Sequence, residues 1–117
     1  MTNTVSIQKT IDLYIEGGIA GKSEILKKAF HDQATMFFIS NGQLQGGEIQ
    51  GLYDVVDSIG AAPNLKGHIA SIDVNNTTAT ARVELTDWAG ANYTDQLSLL
   101  NLDGHWKIIS KVYHENT

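Results

Sequence analysis

The chain lacks several residue types and patterns, and each absence excludes a class of protein. It contains no cysteine, which excludes disulfide bridges, thiolate nucleophiles and cysteine-based metal sites. No apolar run approaches the roughly 20 residues that a transmembrane helix needs. The N-terminal segment MTNTVSIQKT lacks the basic region and apolar core of a signal peptide. We therefore expect a cytoplasmic protein that does not span a membrane.

Positive charge and proline are also scarce. The chain has a single arginine, Arg82, its lysines are dispersed, and its net charge is −5. Proteins that bind nucleic acid present a clustered basic face, so we do not expect nucleic acid as a partner. One proline, no repeat and no low-complexity tract leave no sign of a linker. A length of 117 residues with 42% hydrophobic content predicts one domain over residues 1–117.

The strongest local signal is Asp103-Gly104, which separates two apolar runs typical of strands. This dipeptide favours a two-residue hairpin turn, because both central residues of such a turn need positive φ. The turn length sets the register of the hairpin. The register predicts an interior face that includes Trp106, read as a core residue, and a carboxylate, Asp95. The predicted pairs farther from the turn are Leu97 with Ser110, Asp95 with Val112, and Tyr93 with His114.

The rest of the chain divides into helical and strand-like segments. Apolar residues at helical spacing predict helices over residues 5–18, 24–30 and 48–59, and a strand over residues 34–40. From Lys66 onward, the alternation predicts a meander of four antiparallel strands. One face of this sheet is apolar and needs a cover, which the helices supply. The fold class is therefore α+β, with a curved sheet around a helix.

Two predicted turns bring polar side chains to the interior face. A turn at residues 75–76 places His68 opposite Val83, and a three-residue loop at residues 90–92 places Asp87 opposite Asp95. Two adjacent carboxylates cannot both ionise at low cost, so one of them would have a raised pKa and act as a general acid or hold a polar ligand. The alternative is that Asp87, next to a turn, is simply solvated.

The order of elements, together with three sequence stretches, resembles the nuclear-transport-factor-two-like superfamily. The stretches are YIEGGIAGKSEILKKAFHDQATMFFI, YTDQLSLL and LDGHWKIISKVYH. The last two are similar to the closing strands of its lumazine-binding subgroup. The resemblance implies three N-terminal helices packed against a strongly curved, mostly antiparallel sheet, a cone-shaped α+β barrel. It also implies a pocket between the first helix and the sheet.

The enzymatic relative that the resemblance brings in is ketosteroid isomerase. That enzyme uses a carboxylate base together with a tyrosine and a protonated aspartic acid as oxyanion donors. By location, Tyr14 and Asp95 correspond to the two donors. The base has no counterpart, because the matching stretch contains Met36, Phe37 and Phe38.

Three functions stay open from the sequence. The first is binding of a small hydrophobic or heterocyclic molecule. The second is an isomerase, cyclase or dehydratase that uses Asp95 and a histidine as acid and base, and the third is a ligandless dimerisation module. The predicted ligand-binding residues are Tyr14, His68, Asp87, Tyr93, Asp95 and His114.

The remaining expectations concern metals, cofactors and assembly. The four histidines lack metal-binding spacing, and no phosphate-binding or dinucleotide motif is present, so we expect neither a metal nor a cofactor. The outer face of the closing hairpin carries too many apolar residues for a free solvent face. We expect a homodimer through this face. The predicted interface residues are Leu100, Leu102, Ile109 and Tyr113.

Overall fold

The computed structural model describes residues 2–117, which form three helices and six strands. In chain order these elements are α1 (Asn3–Ala20), α2 (Ser23–Leu26), β1 (Phe30–Ser40), β2 (Gln43–Glu48), α3 (Gln50–Ile59), β3 (Lys66–Asn75), β4 (Thr78–Trp88), β5 (Ala91–Leu102) and β6 (His105–Asn116).

All six strands belong to one curved sheet, in the order β2-β1-β6-β5-β4-β3. The β1–β6 pair is parallel and the other four pairs are antiparallel. The sheet does not close on itself, because β2 and β3 form its two edges. The predicted α+β class, with helices against a strongly curved and mostly antiparallel sheet, is confirmed.

Helix α1 supplies the central layer of the core. Its apolar stripe is fully buried at Ile7, Ile11 and Tyr14. The helix runs two residues beyond the predicted end at residue 18, and Gly21, with φ of 69°, forms its C-cap. At Gly18, an added Cβ atom would lie 2.7 Å from a Leu65 methyl carbon and 2.9 Å from the Trp88 ring. A glycine at this position therefore lets Trp88 pack directly against the helix.

All three predicted helices are present, but several of their boundaries differ from the prediction, and one observed strand was not predicted. Helix α2 is a single turn, Ser23–Leu26, because the chain extends into β1 already at Phe30. Strand β2 was not predicted, because two adjacent glycines, Gly46 and Gly47, are typical of a bend rather than a strand. Both adopt positive φ within the strand. Asn41-Gly42, a dipeptide typical of two-residue turns, joins β1 to β2 in a hairpin, and both residues have positive φ.

The closing hairpin is confirmed near its turn and wrong beyond it. The predicted pairs Asn101–Trp106 and Leu99–Ile108 are present. The next pair is Ser98–Ser110, which leaves Ile109 without a partner as a β-bulge. Each later residue of β6 is therefore shifted by one position. The observed pairs are Leu97 with Lys111, Asp95 with Tyr113, and Tyr93 with Glu115.

The other two predicted registers are also wrong. The β3–β4 turn lies one residue later than expected, and a bulge at Ala70 follows, so His68 pairs with Glu84. The β4–β5 turn has two residues rather than three, and Val83 lies opposite Asp95. Asp87 falls in a bulge, with φ of 60°, and lies outside that ladder. Bulges increase local twist, which contributes to the curvature of the sheet.

Candidate ligand-binding site

Three polar side chains meet in the core between α1 and the sheet. The Tyr14 hydroxyl donates a 2.5 Å hydrogen bond to Asp95 Oδ2, and Lys111 Nζ lies 3.9 Å from the same oxygen. Asp95 has no exposed surface, and Lys111 is 4% exposed. Asp95 Oδ1 has no hydrogen-bond partner among residues 2–117. One carboxylate oxygen is thus held by Tyr14, and the other is buried without a partner.

Burial dominates the electrostatics of this cluster. Loss of solvent raises the pKa of the Asp95 carboxyl, although Lys111 and the Tyr14 hydrogen bond oppose the shift. Loss of solvent also lowers the pKa of the Lys111 ammonium, against the attraction of Asp95. Burial, with a further contribution from Asp95, raises the pKa of Tyr14 well above its usual value. The environment therefore pushes both Asp95 and Lys111 toward their neutral forms.

Lys111 also forms part of the wall of a cavity of about 130 Å³ between α3 and the sheet. The other lining side chains are apolar or aromatic, apart from the hydroxyl groups of two tyrosines. They are Met36, Phe38, Leu52, Val55, Val56, Ile59, Trp88, Tyr93 and Tyr113. Val55 and Ile59 are about half exposed, so this side of the cavity faces solvent. The Lys111 side chain, by contrast, is buried, and its amine lies near Asp95, which is not among the lining residues.

Aromatic rings surround the amine of Lys111. Its Nζ lies 5.0 Å from the ring centroids of Tyr14 and Tyr113 and 5.4 Å from that of Trp88. These distances allow cation–π attraction when the amine is protonated. Burial raises the pKa of Tyr113 to about 12, so its hydroxyl stays neutral at the cavity wall. A bound molecule would meet flat apolar walls and a few polar groups, as is usual for small-molecule sites.

Three of the predicted ligand-binding residues lie together. Tyr14 and Asp95 are hydrogen-bonded, and Tyr93 lines the adjoining cavity. The inward position predicted for Asp95 is confirmed, as is the burial of Trp106.

The other three lie elsewhere, for reasons of register. His68 pairs with Glu84, which points outward, so His68 lies on the outer face of the sheet and is exposed. The bulge at Ile109 shifts the register of β6, so His114 also lies on the outer face and is exposed. Asp87 is an exposed turn residue that accepts a hydrogen bond from the Gly90 amide. The predicted Asp87–Asp95 pair and the predicted pairing of Tyr93 with His114 are therefore wrong.

The sequence reasoning missed Lys111 and assigned it to the outer face. The signal that was available is the Ile108-Ile109 pair, which interrupts the alternation of β6 as a bulge does. A second signal is Asp95 itself, because a buried carboxylate usually has a cationic or hydrogen-bonding partner. The same shift moves Tyr113 from the predicted dimer face into the cavity wall.

Within residues 2–117, no three His, Asp or Glu side chains are grouped so that they could hold a metal ion. In that same part of the chain, no helix has the length and hydropathy required to cross a membrane.

The fold is that of NTF2-like proteins, cones in which helices fill a curved sheet. The family model described as "Putative lumazine-binding" matches residues 2–114. The chain belongs to this family.

Two solved structures share this fold, and a third protein, named an aldolase, is similar in sequence. The crystal structure of an NTF2-like protein of unknown function from Shewanella baltica OS155 superposes with a TM-score of 0.95 at 38% identity, covering 100% of this chain and 98% of that one. A second NTF2-like protein of unknown function, from Methylobacillus flagellatus KT, gives 0.93 at 35% identity, with coverages of 98% and 93%. Aldolase FrzH from Cladobotryum sp is 31% identical over 102 residues, which are 86% of this chain and 82% of that protein.

Proposed function

We propose that this protein binds a small, flat and largely uncharged molecule in the cavity between α3 and the sheet, with its polar group toward Lys111 and Asp95. The observation that carries the proposal is a buried amine that lines an otherwise apolar cavity and lies 3.9 Å from a buried carboxyl oxygen of Asp95. A buried ion pair is a poor source of stability, since apolar side chains of similar volume do as well or better. Perturbed titratable groups in a cleft are typical of functional sites.

The cavity limits the size of the ligand. Its volume of about 130 Å³ is close to that of an engineered cavity of about 150 Å³ that holds benzene. One six-membered ring with a small polar substituent therefore fits without movement of α3. A two-ring heterocycle such as a lumazine needs the Val55–Ile59 side of the cavity to open. The proposed contacts from the cluster and wall are Tyr14, Tyr93 and Asp95, joined by Lys111 and Tyr113.

Binding is tested by ligand-detected NMR with benzyl alcohol and, separately, lumazine as probes. Val55→Phe adds a ring at the exposed edge of the cavity and should weaken binding by about tenfold, which corresponds to about 1.4 kcal/mol. Val5→Phe, on a partly exposed site of α1 outside the cavity lining, is the matched control and should bind as the unchanged protein does. The proposal fails if neither probe binds, or if the two variants weaken binding equally.

A second candidate function is catalysis on carbonyl compounds, of the isomerase, cyclase or aldolase type. It is supported by the relative named an aldolase and by the amine and carboxyl group at the cavity. The acid–base pair in this version is Asp95 with Lys111. No histidine takes part, because His68 and His114 lie exposed on the outer face.

We also propose a homodimer through the outer face of the sheet. Exposed apolar side chains support it: Val112 is 47% exposed, Phe37, its neighbour in the β1–β6 ladder, is 36% exposed, and Leu102 at the far end of the hairpin is 43% exposed. Of the four interface residues predicted from the sequence, Leu100, Leu102 and Ile109 remain in this proposal.

Light scattering coupled to size-exclusion chromatography tests the dimer. The unchanged protein should elute with twice the mass of the chain. Val112→Lys should shift it to a monomer, because a charge at the centre of an apolar interface is left without a partner. Val5→Lys, at a comparably exposed apolar site on α1, should leave the mass unchanged. A monomeric unchanged protein at micromolar concentration would contradict the proposal.

A further inference from the structure

Lys111 differs from every other lysine of the chain in its surroundings. The chain has seven lysines, and the other six are partly or fully exposed. Lys111 alone is buried, and it faces a cavity rather than packed protein. Such a position costs stability through desolvation. Packing alone therefore does not account for a lysine at this position, which points to a chemical role for its amine.

The geometry leaves the amine available for reaction. Its nearest carboxylate oxygen is 3.9 Å away, beyond the length of a good hydrogen bond. The surrounding groups are the rings of Tyr14, Trp88 and Tyr113, which accept no ordinary hydrogen bond through their faces. Burial lowers the pKa of this amine, which increases the neutral fraction that carries a lone pair. A lysine desolvated in an apolar pocket is a known form of activated nucleophile.

We propose that Lys111 captures an aldehyde or ketone as an imine, with Asp95 as the acid that expels water; this rests on the proposed function of the cavity. Nζ forms a bond to the carbonyl carbon, and the carbonyl oxygen takes the proton of the Asp95 carboxyl. Asp95 then removes a proton from the new ammonium group and returns it to the hydroxyl, which leaves as water. The products are a protonated imine and the Asp95 carboxylate, so atoms and charge balance.

Two features of Asp95 fit this role. Its Oδ1 has no hydrogen-bond partner among the described residues, while Oδ2 is held by the Tyr14 hydroxyl. The carboxyl group is thus oriented by Tyr14, and its second oxygen is buried and lacks a partner, which a hydroxyl group formed in the reaction would supply. The iminium–carboxylate pair also carries the same charges as the ionised, ammonium–carboxylate form of the Lys111–Asp95 pair. The aromatic rings around Nζ stabilise a positive charge at that position.

The lining defines the class of carbonyl compound. The cavity is apolar and about 130 Å³ in volume, and Lys111 is the one charged side chain among the residues that line it. We therefore expect an uncharged aldehyde or ketone with about one ring. Where the carbon next to the imine carries hydrogen, loss of that proton to the Asp95 carboxylate gives an enamine, the carbon nucleophile needed to form a carbon–carbon bond.

Reductive trapping tests the proposal. The protein is incubated at neutral pH with benzaldehyde and sodium cyanoborohydride, which delivers hydride to the iminium carbon. The trapped lysine gains the mass of benzaldehyde less one oxygen atom. Peptide mapping by mass spectrometry should find the adduct on Lys111 at least about tenfold above any surface lysine, because burial favours the neutral, nucleophilic form of the Lys111 amine.

Two variants and one competitor complete the test. Lys111→Met keeps the volume of the side chain and should abolish the preferred adduct, whereas Lys66→Met, on an exposed site of β3, should retain it. Excess benzyl alcohol, which has the ring without the carbonyl, should protect Lys111 in the unchanged protein and leave surface adducts as they were. This competition stays informative if Lys111→Met does not fold.

The outcomes separate the two proposals. If benzyl alcohol binds but benzaldehyde labels all lysines evenly, or leaves Lys111 unlabelled, the imine is overturned and the binding function stands. If neither compound binds, the proposed function fails and the imine proposal fails with it. Preferred labelling of Lys111 that benzyl alcohol does not suppress would overturn capture within the cavity.

Discussion

Asp95 and Lys111 make a sharp test of the buried cluster, because removing either one leaves the other without its opposite charge. In the intact protein the pair binds one proton between the raised pKa of Asp95 and the lowered pKa of Lys111, whether that proton resides on the lysine or on the carboxyl. The unfolded chain also binds one proton there. The pair therefore adds no pH dependence to the free energy of unfolding over this range.

Asp95→Asn should make that free energy rise with pH. Without Asp95, burial acts on Lys111 unopposed and lowers its pKa further in the folded protein, which favours the neutral amine, while the unfolded lysine stays protonated up to its ordinary pKa of about 10.4. The unfolded state then binds one more proton, so stability increases by about 1.4 kcal/mol per pH unit. At pH 7, Asp95→Asn should lower the free energy of unfolding by roughly 3–5 kcal/mol, the range known for a broken buried pair. The loss should fall at the lower end of this range, because the three aromatic rings near Nζ stabilise a protonated amine.

Lys111→Met should give the opposite slope. Burial then keeps the Asp95 carboxyl protonated in the folded state, whereas the unfolded carboxyl ionises above about pH 3.9. The folded state binds one more proton, so stability falls as pH rises, again by about 1.4 kcal/mol per unit. The Tyr14 hydroxyl hydrogen bond to the carboxylate moderates this slope. The double variant Asp95→Asn/Lys111→Met removes both groups and should be flat.

Urea unfolding followed by tryptophan fluorescence gives the measurement, since Trp88 and Trp106 are both buried. Unfolding curves at about pH 5, 7 and 9 span the window between the two ordinary pKa values. A single variant that does not fold at one end of this range should fold at the other. The reasoning is refuted if the two single variants have slopes of the same sign, or if both are flat.

Two further predictions concern the backbone and a helix start. At Gly21, where φ is 69°, an added Cβ would lie 2.1 Å from the Gly60 carbonyl carbon, so Gly21→Ala should lower the free energy of unfolding by more than about 3 kcal/mol in the same urea assay. Gly104 has a φ of 86° with open space around it, so the control Gly104→Ala should lower it by only about 1 kcal/mol. Hydrogen bonds from the Ser23 hydroxyl and amide lower the pKa of Asp57, so their contribution is present above the ordinary carboxyl pKa and lost as pH falls through the lowered value. The difference in Tm between the unchanged protein and Ser23→Ala should therefore shrink in acid, and a constant difference would contradict this account.

Much of the architecture was predictable because it depends on local chemistry. Helical spacing in α1 and α3, alternation in β4 and the turn dipeptide at residues 103–104 each specify an element from neighbouring residues alone. The inward position of Asp95 followed from the same local register, since Leu97 and Leu99 share its face and are buried. Tyr14 followed from the apolar face of α1.

The tertiary structure decided the identity of the site. Whether a side chain of β6 points inward depends on a single unpaired residue, Ile109. The Ile108-Ile109 pair signals an interruption of the alternation, but only the pairing of β6 with β5 shows which residue is left unpaired. That one-residue shift exposes Val112 and His114 and brings Lys111 and Tyr113 to Asp95. The sequence by itself determined an α+β cone with an inward carboxylate. The curvature of the assembled sheet determined that a buried amine lies beside this carboxylate, which is the feature on which the proposed chemistry depends.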